Sequence, residues 1–246
     1  RRSQRDMPTR FQGWPAWLAI STLIVVAFLY TTPWDNYLVA TGVWWYDPAL
    51  VTGIVWGWVP IEEYTFFVVQ TLLGGLWLLC MFRYWPPASA YSPLNGRWRV
   101  GATAVILLIW LGSVVLLVSG WQPGTYLGLE LIWALPPIAV QLAFGADILW
   151  RYRRYVLSSI VILSLYLSAT DALAISSGTW TIDPQQSLGI YLGGILPVEE
   201  FIFFLLTNIL VICGITLLLA QESHERFDAF WQARVSTLPN PLRRAD

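Results

Sequence analysis

The octet PxEExxFF occurs twice in this 246-residue chain, as Pro60-Ile61-Glu62-Glu63-Tyr64-Thr65-Phe66-Phe67 and as Pro197-Val198-Glu199-Glu200-Phe201-Ile202-Phe203-Phe204. At helical spacing Glu62 shares a stripe with Phe66 and Gln70, and Glu63 with Phe67 and Thr71; the second copy repeats this with Glu199, Phe203 and Thr207 and with Glu200, Phe204 and Asn208. Each stripe joins an acid, an aromatic ring and a neutral polar group. A carboxyl in a dry pocket beside other carboxyls favours its protonated form, and two neighbouring pairs hold their protons as one coupled set. An aromatic face stabilises a developing cation by roughly 0.5 to 2 kcal/mol. Proton donor, cation cradle and proton acceptor are the parts needed to protonate an alkene and then deprotonate the carbocation.

Glu62, Glu63, Glu199 and Glu200 are therefore the catalytic candidates. Phe66, Phe67, Phe203 and Phe204, with Tyr64 and Phe201 as the remaining rings of the octets, are candidates for binding substrate or steadying a cation. Gln70, Thr71, Thr207 and Asn208, together with Asp35 and Asp171, are candidate supporting groups around the acids. The pairing has a plainer use, since acids at a helix start meet the positive end of its dipole and outer water. Against that stands the cost of ionisable groups in apolar surroundings, several kcal/mol by most estimates, here met twice in matched positions. Pro60 and Pro197 each remove a backbone donor, which puts each octet at a kink or in a first helical turn.

The elements that must carry these residues are membrane helices. The chain is 57% hydrophobic and 12% charged with mean hydropathy +0.58, a balance that predicts an all-α integral membrane protein. Apolar runs at residues 14–32, 54–82, 100–119, 127–149, 156–176 and 188–220 each suffice for about 30 Å of hydrocarbon, which needs about 20 helical residues. The 14 basic residues are all Arg, and they cluster at the N-terminus, in every second loop (Arg83, Arg97, Arg99; Arg151, Arg153, Arg154) and at the C-terminus. The positive-inside rule then expects both termini in the cytoplasm and the octets toward the outer side. A seventh helix would fit only as a short re-entrant piece within residues 33–53. The first apolar run is long enough to span and lacks a small-residue cleavage site, so it is taken as a transmembrane helix rather than a signal. The opening Arg1 suggests a trimmed terminus, with Met7 as the expected start.

Sliding the chain on itself by 136 residues aligns Tyr30 with Tyr166, Asp35 with Asp171, Gly42 with Gly178, Trp44 with Trp180, and Asp47-Pro48 with Asp183-Pro184; after one inserted residue an offset of 137 aligns the octets. Helices one and two thus recur as five and six. Four crossings separate the copies, so they form a parallel repeat with a pseudo-twofold axis along the membrane normal and both Glu pairs at one depth, around one cavity. The expected division is a basic cytoplasmic extension (1–13), a first half of three helices (14–120), a second half of three (121–220) and a charged cytoplasmic tail (221–246) with one amphipathic turn at Phe227, Phe230 and Trp231.

Other residues have bland readings. Trp34, Trp44, Trp45, Trp56, Trp58, Trp121 and Trp180 read as an aromatic belt at the outer boundary. Asp47 and Asp183 precede Pro and make turns. Asp147 is one turn before Arg151 and reads as its ion-pair partner. Glu130 is an outer-side acid without a repeat partner, His224 a surface residue, and Cys80 and Cys213 small buried apolar residues. With no Lys, a retinal Schiff base is excluded in its usual form. No GxGxxG follows a strand and no His cluster or HExxH occurs, which argues against nucleotide-cofactor redox enzymes and metal-dependent desaturases, hydroxylases or proteases.

The doubled PxEExxFF with its upstream Asp-Pro loops resembles the membrane-integral lycopene cyclase family of bacteria, archaea and fungi, over residues 14–220. In that family the two halves occur as separate subunits or fused, and in fungi they are joined to a phytoene synthase; this chain resembles a fused form without the synthase. The resemblance implies the four octet glutamates as catalytic residues and lycopene, or a related linear carotenoid, as substrate in the lipid bilayer. It also implies closure of ψ-end groups to β-ionone-type rings without flavin, metal or other cofactor and without net redox change. Nucleic acid is not an expected partner, and oligomerisation is compatible with the pattern. Two rivals remain at this point: a proton-coupled transporter moving around the carboxylates, and a carotenoid-binding scaffold subunit without chemistry.

Overall fold

The computed structural model describes residue 11 and residues 13–85 and 95–236. The expectations attached to Arg1, Arg2, Arg5 and Arg10, to Met7 and to the tail beyond residue 236 lie outside the described residues. Six helices are long and apolar enough to cross a membrane: α1 (Ala16–Ala40), α2 (Ile61–Tyr84), α3 (Arg97–Val118), α4 (Thr125–Arg151, preceded by a tight turn at Gln122–Gly124), α5 (Arg153–Ser176) and α6 (Val198–Leu219). The expected helical, six-span architecture is thus borne out. A seventh helix, α7 (Gln221–Ser236), is polar and follows α6 directly, longer than the single amphipathic turn expected there.

Two boundaries differ from the apolar runs. The first helix does not stop at Thr32; Pro33 removes one backbone donor without ending it, and α1 carries on to Ala40, so that no separate re-entrant helix forms in residues 33–53. The octet helices start later than their apolar runs, because each run opens with a small β-hairpin. Strand β2 (Val55–Trp56) pairs with β3 (Val59–Pro60), and β5 (Tyr191–Leu192) with β6 (Leu196–Pro197). Gly57, at φ +68° in the first hairpin turn, adopts the left-handed region that other residues avoid. Pro60 and Pro197 are the extended residues just before α2 and α6, as their lack of a needed N–H allows.

The repeat is visible as a twofold pattern of contacts. Strand β1 (Trp44–Tyr46) runs antiparallel to β4 (Trp180–Ile182) with Trp45 opposite its own counterpart Thr181, so each flanking pair joins one half's first residue to the other half's third. The ladder ends on reciprocal bonds, Asp47 N–H to Thr179 O and Asp183 N–H to Val43 O, both 2.9 Å. Deeper in the bundle the counterparts Gln70 and Thr207 meet, the Gln amide donating to the Thr hydroxyl at 2.7 Å. One turn further, a Cβ on Gly74 would come within 3.0 Å of Val211, again its counterpart, so α2 and α6 cross closely where the small residue stands. Helices α1, α2, α5 and α6 form the paired core, while α3 packs along α4 outside it.

At the end of the bundle opposite the octets, Phe11, Phe82, Ile148, Tyr152, Ile212 and Ile215 form the main apolar core. There Asp147 pairs with Arg226 of α7 (2.6 Å), and Arg151 pairs with Glu222 (2.7 Å), not with Asp147. The expected in-helix pair is replaced because α7 brings both a cation and an acid to that face of α4. His224 is half-buried against Gly13 rather than on the open surface. Cys213 is buried as expected, but Cys80 is exposed on the outward side of α2; both are free thiols.

Candidate functional site

The first turn of each octet helix is fastened by its own acid. Glu62 accepts the Thr52 N–H and Glu199 accepts the Leu188 N–H, each at 2.6 Å and each across the hairpin that precedes the helix. The backbone bonds Ile61 N–H to Ile54 O and Val198 N–H to Ile190 O, both 2.9 Å, close the same loops. Asp47 and Asp183 each accept a backbone N–H two residues on, from Ala49 and Gln185, which makes them the turn formers expected. These loops position the second acid of each octet, Glu63 and Glu200, to face inward.

Between the halves lies a cavity of about 250 Å³ lined by Glu62, Glu63, Glu200, Asp35 and Asp171, with Phe66, Phe203 and Phe204 as its deeper aromatic wall. Five carboxyl side chains from both halves thus share one space. Asp35 and Asp171 belong to this lining rather than to exposed helix ends, and each keeps one oxygen without a hydrogen-bond partner. The Trp180 indole donates to Asp171 at 3.1 Å, and Trp44 is placed against Asp35 in the matching position.

The remaining candidates are distributed around this space. Glu199 is fully buried behind its hairpin and does not line the cavity. Tyr64 is buried with its hydroxyl donating to Trp56 O (2.7 Å) and accepting from Asn36, which makes it a brace for the first hairpin; Phe201, half-buried, does not line the cavity either. Phe67, Gln70, Thr71 and Thr207 line a second, apolar groove of about 160 Å³ directly below, which shares Phe203 with the cavity and is closed on its far side by Trp133 and Pro137 of α4. Asn208 donates to Ser164 at 3.2 Å and lines neither space.

Several residues at the site were not singled out from the sequence. Trp34, Trp44 and Trp180 line the cavity instead of joining the outer belt, whereas Trp45, Trp56, Trp58 and Trp121 are exposed as that belt requires. Trp34 stacks on Trp133 with ring centroids 4.5 Å apart and lies parallel to Phe203 at 5.9 Å. The repeat partnership of Trp44 with Trp180 was the signal that could have moved them inward. Tyr126, at the start of α4, lines the cavity and donates its hydroxyl to Glu200 Oε1 at 2.7 Å. It lies outside the aligned repeat and in no motif, so nothing in the sequence marked it.

Chemically, the arrangement offers carboxyls above, aromatic faces below and an apolar groove leading away, which suits a substrate with one reactive end and a long hydrocarbon remainder. The chain matches the family model described as lycopene cyclase over residues 9–82 and 123–219. It is 42% identical over 198 residues to the lycopene beta-cyclase of Halobacterium salinarum, covering 80% of this chain and 81% of that protein. It is 36% identical over 207 residues to the bifunctional lycopene cyclase/phytoene synthase of Podospora anserina and 33% identical over 202 residues to that of Aspergillus oryzae. These matches cover 81% of this chain in both cases but only 35% and 34% of the two fungal proteins. No solved structure matches the chain. Two octets around one cavity, a family match across both halves and an archaeal relative of similar extent converge on one assignment: the chain belongs to the lycopene cyclase family.

Proposed function

We propose that this protein is a lycopene β-cyclase of carotenoid biosynthesis that works by acid–base chemistry alone. The observation that carries the reading is the shared cavity, in which Glu63 and Glu200 from equivalent positions of the two halves stand above Phe66, Phe203 and Phe204. One carboxyl gives its proton to the terminal double bond of a ψ-end group, leaving a cation at C1. The C5–C6 double bond attacks C1, the cation moves to C5, and a carboxylate takes the proton from C6 as the ring alkene forms. One proton enters and one leaves, so the product is an isomer of the substrate and needs no oxidant or reductant. The aromatic wall faces the cation at the stage where charge is greatest, worth roughly 0.5 to 2 kcal/mol per well-placed ring. The linear remainder of the polyene is assigned to the apolar groove that continues from Phe203 toward Leu23, Val26 and Leu210.

The described Arg residues lie at or beyond the helix ends away from the octets, as with Arg83 in the last turn of α2 and Arg97 at the start of α3. On the positive-inside rule that end is cytoplasmic, which puts the cavity toward the outer leaflet of a multi-pass cell-membrane protein. Expression in a lycopene-accumulating host, followed by chromatography of the extracted pigments, tests the activity. Conversion to γ- or β-carotene is expected. Unchanged lycopene in the presence of folded, membrane-inserted protein would overturn the reading, and proton-coupled solute uptake or bound but unaltered pigment would replace it with a transporter or a carrier.

A further inference from the structure

One acid near the cavity takes no part in the chemistry assigned above. Glu130 of α4 is fully buried, at 0% exposure, and neither of its carboxyl oxygens has a hydrogen-bond partner. It stands one helical turn after Tyr126, on the same face of α4, and its charge would be felt by both Glu199 and Glu200. Tyr126 is itself buried and commits its only proton to Glu200 Oε1 at 2.7 Å. Its phenol oxygen can still accept. A carboxylate at position 130 would be a buried anion beside two further acids, its one neighbouring donor, Tyr126, already committed to Glu200, an arrangement costing several kcal/mol. An uncharged carboxylic acid there has an O–H that needs an acceptor, and the Tyr126 hydroxyl is the polar side chain that interacts with it.

We propose that Glu130 is an uncharged hydrogen-bond donor to Tyr126, and that the chain Glu130 to Tyr126 to Glu200 holds Glu200 as a carboxylate, making Glu200 the base of the reaction. The inference rests on the cyclase reading. No proton leaves Glu130 or Tyr126 in this scheme; Glu63 loses one to the alkene, and Glu200, a carboxylate met by the Tyr126 O–H that Glu130 polarises, takes one from C6. Glu63 lines the same cavity and makes no side-chain hydrogen bond among the described residues, so nothing comparable weakens its hold on a proton, and it is the group that gives its proton to the alkene. In this role Tyr126 and Glu130 are positioning residues for Glu200. Helix α4 lies outside the aligned repeat, and among the described residues only one of two equivalent acids receives such support.

The test uses the full-length protein in liposomes loaded with lycopene, comparing Tyr126→Phe, Glu130→Leu, Glu130→Gln and the Tyr126→Phe/Glu130→Leu double variant. Losing the donor that keeps Glu200 ionised leaves the shared proton on the base in most molecules and lowers kcat by roughly 10- to 100-fold, and this is the expected effect of Tyr126→Phe and Glu130→Leu, with KM little changed. The double variant should be no slower than the worse single, because both break one chain. Glu130→Gln keeps an N–H donor and should remain within about threefold of the parent, a rescue that a purely space-filling role would not distinguish from Leu. If Glu130→Leu is lost from the membrane, the pair Glu130→Gln and Tyr126→Phe decides the matter alone. Infrared difference spectra of the parent against Glu130→Gln should contain a protonated carboxyl stretch whether or not substrate is present. Full activity in Glu130→Leu, multiplicative losses in the double variant, a Glu130→Gln as slow as Tyr126→Phe, or a carboxylate band in place of the protonated one would each overturn the inference. Absence of cyclic product from the parent protein would overturn the cyclase reading and this inference with it.

Discussion

The two octets are the same eight-residue device in two surroundings. Each begins after a proline-ended hairpin, and each ties its first acid to a backbone N–H at 2.6 Å. Beyond that the copies diverge. Glu62 is half-buried and reaches the cavity, whereas its counterpart Glu199 is sealed at 0% exposure and does not. Glu200 receives the Tyr126 hydroxyl, whereas Glu63 receives no side-chain bond among the described residues. The difference comes from α4, which packs on α6 and covers the second copy while the first copy is left open to its own loop. Duplication supplies two equal acids on a twofold axis, but the proposed chemistry, giving one proton and taking another, requires unequal acids. A helix outside the aligned repeat is enough to make them so.

The strongest way to break the comparison is to remove the inner acids one at a time. Glu63→Gln and Glu200→Gln keep size and polarity but not proton transfer, and positioned acid–base groups contribute roughly 100- to 10,000-fold each, so both should leave lycopene unconverted in pigment chromatography. Equal, normal conversion in the two variants would remove the acid–base assignment altogether. The outer acids should separate in the opposite sense by property. Glu62→Gln, at the cavity, should slow cyclisation, while Glu199→Gln should not. Truncation reverses the order for stability: Glu199→Ala leaves Leu188 N–H without its acceptor in a covered site and costs about 1 to 3 kcal/mol, whereas Glu62→Ala exposes Thr52 N–H to water and costs about 1 kcal/mol or less. Thermal unfolding of the purified variants in one detergent measures that difference.

Much of this was legible before the structure. The octets, the offset of the repeat and the alternation of Arg between loops were enough for a six-span helical protein with carboxyls from both halves in one place. Residues inside the aligned repeat could be checked against a counterpart, although Trp44 and Trp180 still read as belt from the sequence; residues outside it could not. Tyr126 and Glu130 belong to α4, outside the repeat, and a lone Tyr and a lone Glu near a helix start carry no spacing to interpret. The partner of Asp147 was misread because a charged tail gives no sign of which buried face it will dock on, and Arg226 reaches it from 79 residues away. The hairpins were missed because ladders two residues long have no period, and their apolar residues merged with the helices that follow.

Effects an order of magnitude smaller than those of the acids are expected from the aromatic wall. Phe203→Leu removes a ring that lines both the cavity and the groove, and Phe66→Leu a ring that lines the cavity only. A lost cation–π contribution of roughly 0.5 to 2 kcal/mol corresponds to about 2- to 30-fold in kcat, and both variants should show it. Only Phe203→Leu should also raise KM, since only it touches the path assigned to the polyene. Matching KM values for the two variants would detach the groove from the substrate.

The smallest effect tests the axis itself. Gln70 and Thr207 are equivalent residues of unequal chemistry, and the bond between them is directional: the Gln70 amide donates, while the Thr207 hydroxyl donates in turn to Phe203 O at 2.9 Å. Gln70→Leu removes the donor but leaves the Thr207 proton satisfied, so it should cost about 0.5 to 1.5 kcal/mol, the net worth of one hydrogen bond. Thr207→Val strands a buried amide N–H that has no water to turn to, and should cost about 1 to 3 kcal/mol. The double variant replaces both partners with apolar side chains of fitting size and should be more stable than Thr207→Val alone, because the stranded group is gone. Unfolding midpoints for the three variants give the sign directly. Additive losses would mean that α2 and α6 do not meet through this pair, and the twofold contact seen between the halves would then rest on the β1–β4 ladder and the Gly74 crossing.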